Sequence, residues 1–329
     1  MRPPKLQMGD SIGIFSSSTP ATVFAKARYD RAKQFLVDKG FKIVEGSLTG
    51  KSDFYRSGSI VDRAFELNEL IKNPEVKCII SSIGGMNSNS ILPYIDYQQL
   101  IKTPKIIIGY SDITAILLAI YAKTGINTFY GPAVIPSFGE LEPFLTPTYN
   151  YFKNMLIDNI KLPFVLQNPE FWTEEYIPWG EDETPKSKQK NSLATLNHGK
   201  ATGRLIGGNL NTLEGIWGSQ YMPEIVHGDI LFIEDSLKDI ATVERSFSLL
   251  KINGVFDRIG GLLIGKHELF DNKSSGRKYY EVLLEVLGEC KIPILAEFDC
   301  CHTKPMLTLP IGSSVELDAT NQSVTIVEY

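Results

Sequence analysis

KIIIGYSDIT, residues 105–114, decides how this chain is read. Ile106, Ile107 and Ile108 form a β-branched run of the kind buried on both faces of a parallel sheet. Gly109-Tyr110-Ser111-Asp112 interrupts the run, and Ile113, Ile116, Leu117 and Ile120 then recur at helical spacing. A serine in a sharp strand-to-helix turn is lifted above its sheet with the hydroxyl exposed. The next N–H then lies at a helix N-terminus, where it can face a developing oxyanion. That is the geometry of a serine-hydrolase nucleophile, with one departure: Ile113 stands where a G-x-S-x-G elbow carries glycine. The same residues also suit a plain helix start capped by Ser111 or Asp112.

Outward from this turn, strands and helices alternate. Residues 11–18, 41–45, 76–83, 105–110 and 127–130 read as strands, and residues 23–39 and 60–72 as helices. Short connections and continuous β-branched runs predict an α/β fold with a parallel sheet covered on both faces. Ligands bind at the carboxyl ends of such strands, which groups the loops 16–19, 84–89 and 109–112. The pattern weakens from about residue 143 to 199. PEFWTEEYIPWGEDETPKSKQKN, residues 169–191, has no periodicity and carries Trp172 and Trp179, the mark of a functional loop or of disorder. A second alternating region begins near Lys200, and two β-rich segments (306–310 and 314–327) close the chain. The expected organisation is an N-terminal unit over 1–150, an interdomain segment over 151–199 and a C-terminal unit over 200–329.

The bulk properties fit two domains: 329 residues, 43% hydrophobic and 22% charged. A net charge of −5 with scattered lysines and arginines gives no reason to expect a nucleic-acid polymer as partner. No apolar run reaches the roughly 18 residues of a membrane span, and the opening MRPPKLQMGDSIGIF carries two prolines and no signal-peptide core. A cytoplasmic protein without membrane partners is expected. Cys78, Cys290, Cys300 and Cys301 show no CxxC spacing; adjacent cysteines make a strained disulfide and a poor metal site, so neither a metal nor another cofactor is expected.

A nucleophilic serine needs a base, and the chain has four histidines. His198 and His227 lie in linker-like and turn-like positions, whereas His267 and His302 follow apolar strands, where site residues gather. Glu234 ends the strand-like ILFIE and could orient an imidazole, or serve as a turn acid. Gly84-Gly85 after the third strand would let the backbone approach a substrate and supply an oxyanion N–H, or form a plain turn.

Taken in order, IGGMNSN (83–89), IIGYSDIT (107–114), GRLIGGNLNTL (203–213), LFIED (231–235) and CHTKPMLTLPIG (301–312) resemble the LD-carboxypeptidase family of serine peptidases, over essentially the whole chain. The resemblance implies a flavodoxin-like N-terminal domain, a swivelling C-terminal β/α domain, and a homodimer. It also implies a triad of Ser111, His302 and Glu234 between the domains, with the N–H groups of Gly85 and Asp112 as oxyanion donors and domain closure as a possible gate. Muropeptide-trimming members typically carry Arg-Gly-Gly-Tyr-Gly after the third strand. Here the stretch is Ile83-Gly84-Gly85-Met86-Asn87-Ser88-Asn89, similar to the microcin-immunity branch, whose interdomain loop helps hold the nucleotide part of its substrate. Asn87, Trp172 and Trp179 are the substrate-binding candidates that follow. The function expected is hydrolysis of an amide in a small peptide or peptidyl-nucleotide. The alternatives are an LD-carboxypeptidase of cell-wall recycling and, in another class, a non-catalytic two-domain binding protein.

Overall fold

The protein is described by a computed structural model covering residues 1–180 and 183–329. Its first sheet contains β1 (Ser11–Phe15), β2 (Lys42–Glu45), β3 (Val76–Ser81), β4 (Ile106–Gly109) and β5 (Thr128–Tyr130). These five pair in parallel in the order 2-1-3-4-5, the flavodoxin-like arrangement. Several helices are capped by their own side chains. Ser59 opens Ile60–Lys72 with a capping box, its hydroxyl accepting the Asp62 N–H at 3.1 Å. Thr114–Thr124 stops at Gly125, whose φ of 70° takes the left-handed conformation a helix end favours. That helix is buried along all of Thr114–Ile120, because the first sheet covers one side and the second half of the molecule the other.

The second sheet runs Phe164–Val165, Ser323–Glu328, Ser314–Asp318, Lys200–Asn209, Ile230–Glu234, Gly261–Gly265, Ile294–Phe298 and Ala194–Asn197. Its four strands from Lys200–Asn209 to Ile294–Phe298 are parallel. Asn209, Glu234, Gly265 and Phe298 therefore share one carboxyl edge.

Two boundaries differ from the expectation. A limit at residue 150 cuts the helix Leu145–Leu156, whose Tyr149 and Phe152 pack on Phe138 and belong with the first unit. Thr146, Pro147 and Asn150 depress helix propensity there, but burial of Thr148, Tyr149, Phe152, Met155 and Leu156 outweighs it. Further on, Leu309–Ile311 does not stay with the C-terminal unit. It pairs antiparallel with β5, Leu309 opposite Tyr130, and becomes an edge of the first sheet. Soon after His302, the chain is thus stitched to the sheet that carries Ser111.

Candidate active site

Ser111 follows β4 with a φ of 62°, a conformation rare for a residue with a Cβ and found where structure imposes strain. Gly109 makes the turn feasible: a Cβ there would lie 2.5 Å from Ser81 Oγ and 2.9 Å from Ile113 Cγ2. Ile113, in the place of the second elbow glycine, is accommodated by packing its branches over Gly109. The Ser111 N–H donates to the Tyr130 hydroxyl oxygen at 3.1 Å, so it is occupied. The Gly85 and Asp112 N–H groups have no protein acceptor among the described residues. Gly84 keeps the space beside them open, since a Cβ there would stand 2.9 Å from Ser111 Cβ and 3.2 Å from Asp112 N. The Asp112 side chain points away, its Oδ2 accepting the Ser88 hydroxyl at 2.7 Å and the Ser88 N–H at 3.0 Å.

From the opposing sheet edge come Glu234 and, after Ile294–Phe298, His302. Nδ1 of His302 lies 2.7 Å from Glu234 Oε2, which leaves Nε2 for the cavity. Glu234 Oε1 accepts from Asn209 Nδ2 at 3.0 Å and from the Tyr130 hydroxyl. Burial works against the charge of Glu234, but the His302 charge and these donors outweigh it and hold the carboxyl below its ordinary range. For His302, burial again opposes the charged form, yet the charge and hydrogen bond of Glu234 raise its pKa above 6.5. The His302 ring meets Tyr110, the neighbour of Ser111, edge-on at 4.9 Å between centroids.

Ser111, Gly85, Asp112 and His302 line one cavity of about 460 Å³ between the two sheet edges, with Trp179 from the interdomain segment. The other histidines are elsewhere. His198 and His227 are exposed. His267 packs on Phe270 and Tyr279, accepts the Lys238 N–H at 3.3 Å, and burial pushes its pKa down to about 4. Of the three substrate-binding candidates, only Trp179 reaches the cavity, with the Arg28 guanidinium 5.0 Å over its ring. Asn87 is turned inward, its Oδ1 accepting from Arg63 at 2.7 Å and Ser18 at 2.9 Å, and so holds the loop. Trp172 sits on a two-stranded ribbon, Phe171–Trp172 with Gln189–Lys190, over Lys266. A regular ribbon therefore lies within the segment whose sequence has no periodicity.

Sequence reasoning missed Tyr130 and Asn209. Tyr130, in the all-buried β5, is indistinguishable by pattern from core. Asn209 reads as the N-cap of Leu210–Glu214, which it also is, its Oδ1 accepting the Thr212 N–H at 3.0 Å.

Residues 12–131 match the LD-carboxypeptidase N-terminal domain and residues 202–317 the LD-carboxypeptidase C-terminal domain. The chain belongs to the LD-carboxypeptidase family. It is a carboxypeptidase-type hydrolase. It is 57% identical over 325 residues to the microcin C7 self-immunity protein MccF of Escherichia coli, covering 98% of this chain and 94% of that protein. It is 54% identical over 318 residues to a putative carboxypeptidase of Vibrio cholerae, covering 97% and 95%. The ligand-free structure of the microcin C7 self-immunity protein superposes with a TM-score of 0.98 at 56% identity, over 100% of this chain and 99% of that one. The same relative has been solved with aspartyl sulfamoyl adenosine, with glutamyl sulfamoyl guanosine and, as a mutant, with adenosine monophosphate.

Proposed function

We propose that this chain hydrolyses the amide of aminoacyl- or peptidyl-nucleotide conjugates through Ser111, His302 and Glu234. One observation carries the reading: a serine on a strained strand-to-helix turn and a Glu234-anchored His302 open into the same cavity. In the mechanism, Ser111 Oγ attacks the carbonyl carbon while His302 Nε2 takes its proton. Glu234 fixes the ring and stabilises its charged form. The oxyanion is held by the Gly85 and Asp112 N–H groups. His302 then passes the proton to the leaving amine, and a water, activated by the same ring, releases the acyl group from Ser111.

The nucleotide part of the reading is supported by the nucleoside ligands held by the 57%-identical relative and by Trp179, whose indole can stack on a base. The reading also includes a homodimer in the cytoplasm. Four free cysteines suit a reducing compartment, and among the described residues no helix is long and apolar enough to cross a membrane.

The test is a hydrolysis panel that sets an aminoacyl-nucleotide amide against a tetrapeptide with an L-residue–D-Ala end. The nucleotide amide should be cut faster, Ser111→Ala should lose several orders of magnitude, and activity should survive chelators. Trp179→Ala should weaken the nucleotide substrate by about 1–3 kcal/mol and leave small peptides unaffected, whereas Trp172→Ala should change neither. Preference for the D-Ala peptide would move the chain to cell-wall recycling, and an active Ser111→Ala would end the triad reading.

A further inference from the structure

The two proposed oxyanion donors come from separate turns, Gly85 from the one after β3 and Asp112 from the one after β4. They serve together only if both N–H groups converge on one point about 3 Å away, so their separation must be set. On the Gly85 side the neighbouring backbone is already spent. The Gly84 carbonyl accepts the Thr19 N–H at 3.3 Å, and the Met86 and Asn87 N–H groups donate to Ser18 Oγ at 3.0 and 3.3 Å. Gly85, with a φ of 151°, is wedged against the same residues: a Cβ there would stand 2.2 Å from Ser18 Oγ and 2.6 Å from Thr19 Oγ1. The buried Arg63 guanidinium donates to the Ser17 and Asn87 carbonyls and the Ser90 hydroxyl at 2.6, 3.2 and 3.0 Å. These bonds fasten the loop to the chain after β1. None of them reaches the turn after β4.

The Asp112 side chain makes that connection. Its Oδ2 accepts the Ser88 N–H at 3.0 Å and the Ser88 hydroxyl at 2.7 Å. Among the described residues, these are the hydrogen bonds that join residues 84–90 to residues 110–113. Ser17 Oγ, 3.0 Å from Ser88 Oγ, backs the hydroxyl from its other side. The carboxylate does not cap a helix, since neither Ser111–Ile113 nor Thr114–Thr124 has a side-chain bond at its N-cap. It is 3% exposed, and the groups that favour its charge are hydrogen-bond donors, with no cation among them. A buried carboxylate without a counter-charge is a poor source of stability. Its place between the two donor turns gives it another use.

We propose that the Asp112 carboxylate is a positioning group: by gripping Ser88 it sets the separation of the Gly85 and Asp112 N–H groups, and so the size of the oxyanion hole. One residue then serves twice. Its N–H holds the oxyanion, and its side chain fixes where the second N–H stands. The inference rests on the proposed function for the nucleophile and the two donors, and is independent of which amide is cut.

The experiment compares the full-length chain with Asp112→Ala, Asp112→Asn, Ser88→Ala and the double variant Asp112→Ala/Ser88→Ala. One readout is kcat and KM on the aminoacyl-nucleotide amide. The other is the rate of labelling by a fluorophosphonate, which needs no natural substrate. In labelling, the Ser111 Oγ–P bond forms, the P–F bond breaks, fluoride leaves and His302 takes the hydroxyl proton, with the phosphoryl oxygen in the oxyanion hole. The final extent of labelling counts folded enzyme, so the rate is free of any loss of stability. Asp112→Ala should lower kcat and the labelling rate about 10- to 100-fold, the cost of a group displaced by about 1 Å, while KM changes less than about twofold. Asp112→Asn keeps an oxygen for Ser88 and should restore most of both rates. The double variant should be no slower than Asp112→Ala, because both changes cut one tie. Parent rates in Asp112→Ala, a KM that rises as far as kcat falls, or additive losses in the double variant overturn the proposal. Should Asp112→Ala misfold, Ser88→Ala, which cuts the shorter bond alone, must lower kcat at constant KM or the proposal falls. A parent chain that takes no label, or a Ser111→Ala chain that takes it, removes the proposed nucleophile and this inference together; a labelled parent with an unslowed Asp112→Ala removes this inference only.

Discussion

At the scale of single residues, Tyr130 ties the proposed nucleophile to the proposed acid. Its hydroxyl accepts the Ser111 N–H at 3.1 Å and donates to Glu234. Tyr130→Phe keeps the ring but strands one part-buried N–H and removes a donor from the carboxylate. Urea unfolding should report a loss of about 1–3 kcal/mol, the usual cost of an unsatisfied buried group. Activity should respond through pH. The base must be neutral to act, so kcat/KM should rise with pH through a His302 value above the ordinary 6.5. With one donor fewer on Glu234, that limb should move to still higher pH; an unmoved limb would reduce Tyr130 to packing. Stability runs the opposite way. The raised pKa of His302 stabilises the fold fully below 6.5 and fades as pH rises through the folded value. The lowered pKa of Glu234 stabilises it above 4.5 and fades as pH falls through its folded value. Tyr130 was invisible in the sequence because a tyrosine in an apolar strand is presumed to be core.

At the scale of elements, the turns after β3 and β4 face each other across the space reserved by Gly84. Its backbone tolerates a side chain, yet an added methyl would sit 2.9 Å from Ser111 Cβ and 3.2 Å from Asp112 N. Gly84→Ala should therefore fold and bind while kcat falls about 100- to 1,000-fold, the worth of an oxyanion donor. Equal effects on kcat and KM, or none, would place the oxyanion elsewhere. These elements were legible because each has a local signature: the isoleucine run of β4, the paired glycines after β3, and helical spacing straight after Ser111. Leu309–Ile311 had none. A three-residue apolar strand satisfies either sheet equally, and only tertiary pairing decides its place. Asn87 was misjudged because a polar residue in a glycine-rich loop reads as a contact, while Arg63, in the helix Ile60–Lys72, claims its carbonyl oxygen from within.

For the whole molecule, the two sheets are held to each other by more than packing. The Asn209 N–H donates to Thr114 Oγ1 at 3.0 Å, and Asn89 Nδ2 to the Gly215 carbonyl at 3.0 Å. Together with the Tyr130–Glu234 bond and the β5–Leu309 pairing, these ties oppose movement of one unit against the other. Activity gated by a swivelling motion would require them to break. The exchange is also mutual. Phe164–Val165, from the first part of the chain, is an edge strand of the second sheet, just as Leu309–Ile311 is an edge strand of the first. A chain severed between residues 180 and 183 should thus yield two pieces that each hold a strand of the other's sheet. Produced together, they should copurify and regain hydrolysis; produced alone, the first should aggregate through the bared edge of β5. Independent folding of both pieces would refute this. The covalent link is then only one of several connections between the halves, and a single cut in the backbone need not silence the enzyme.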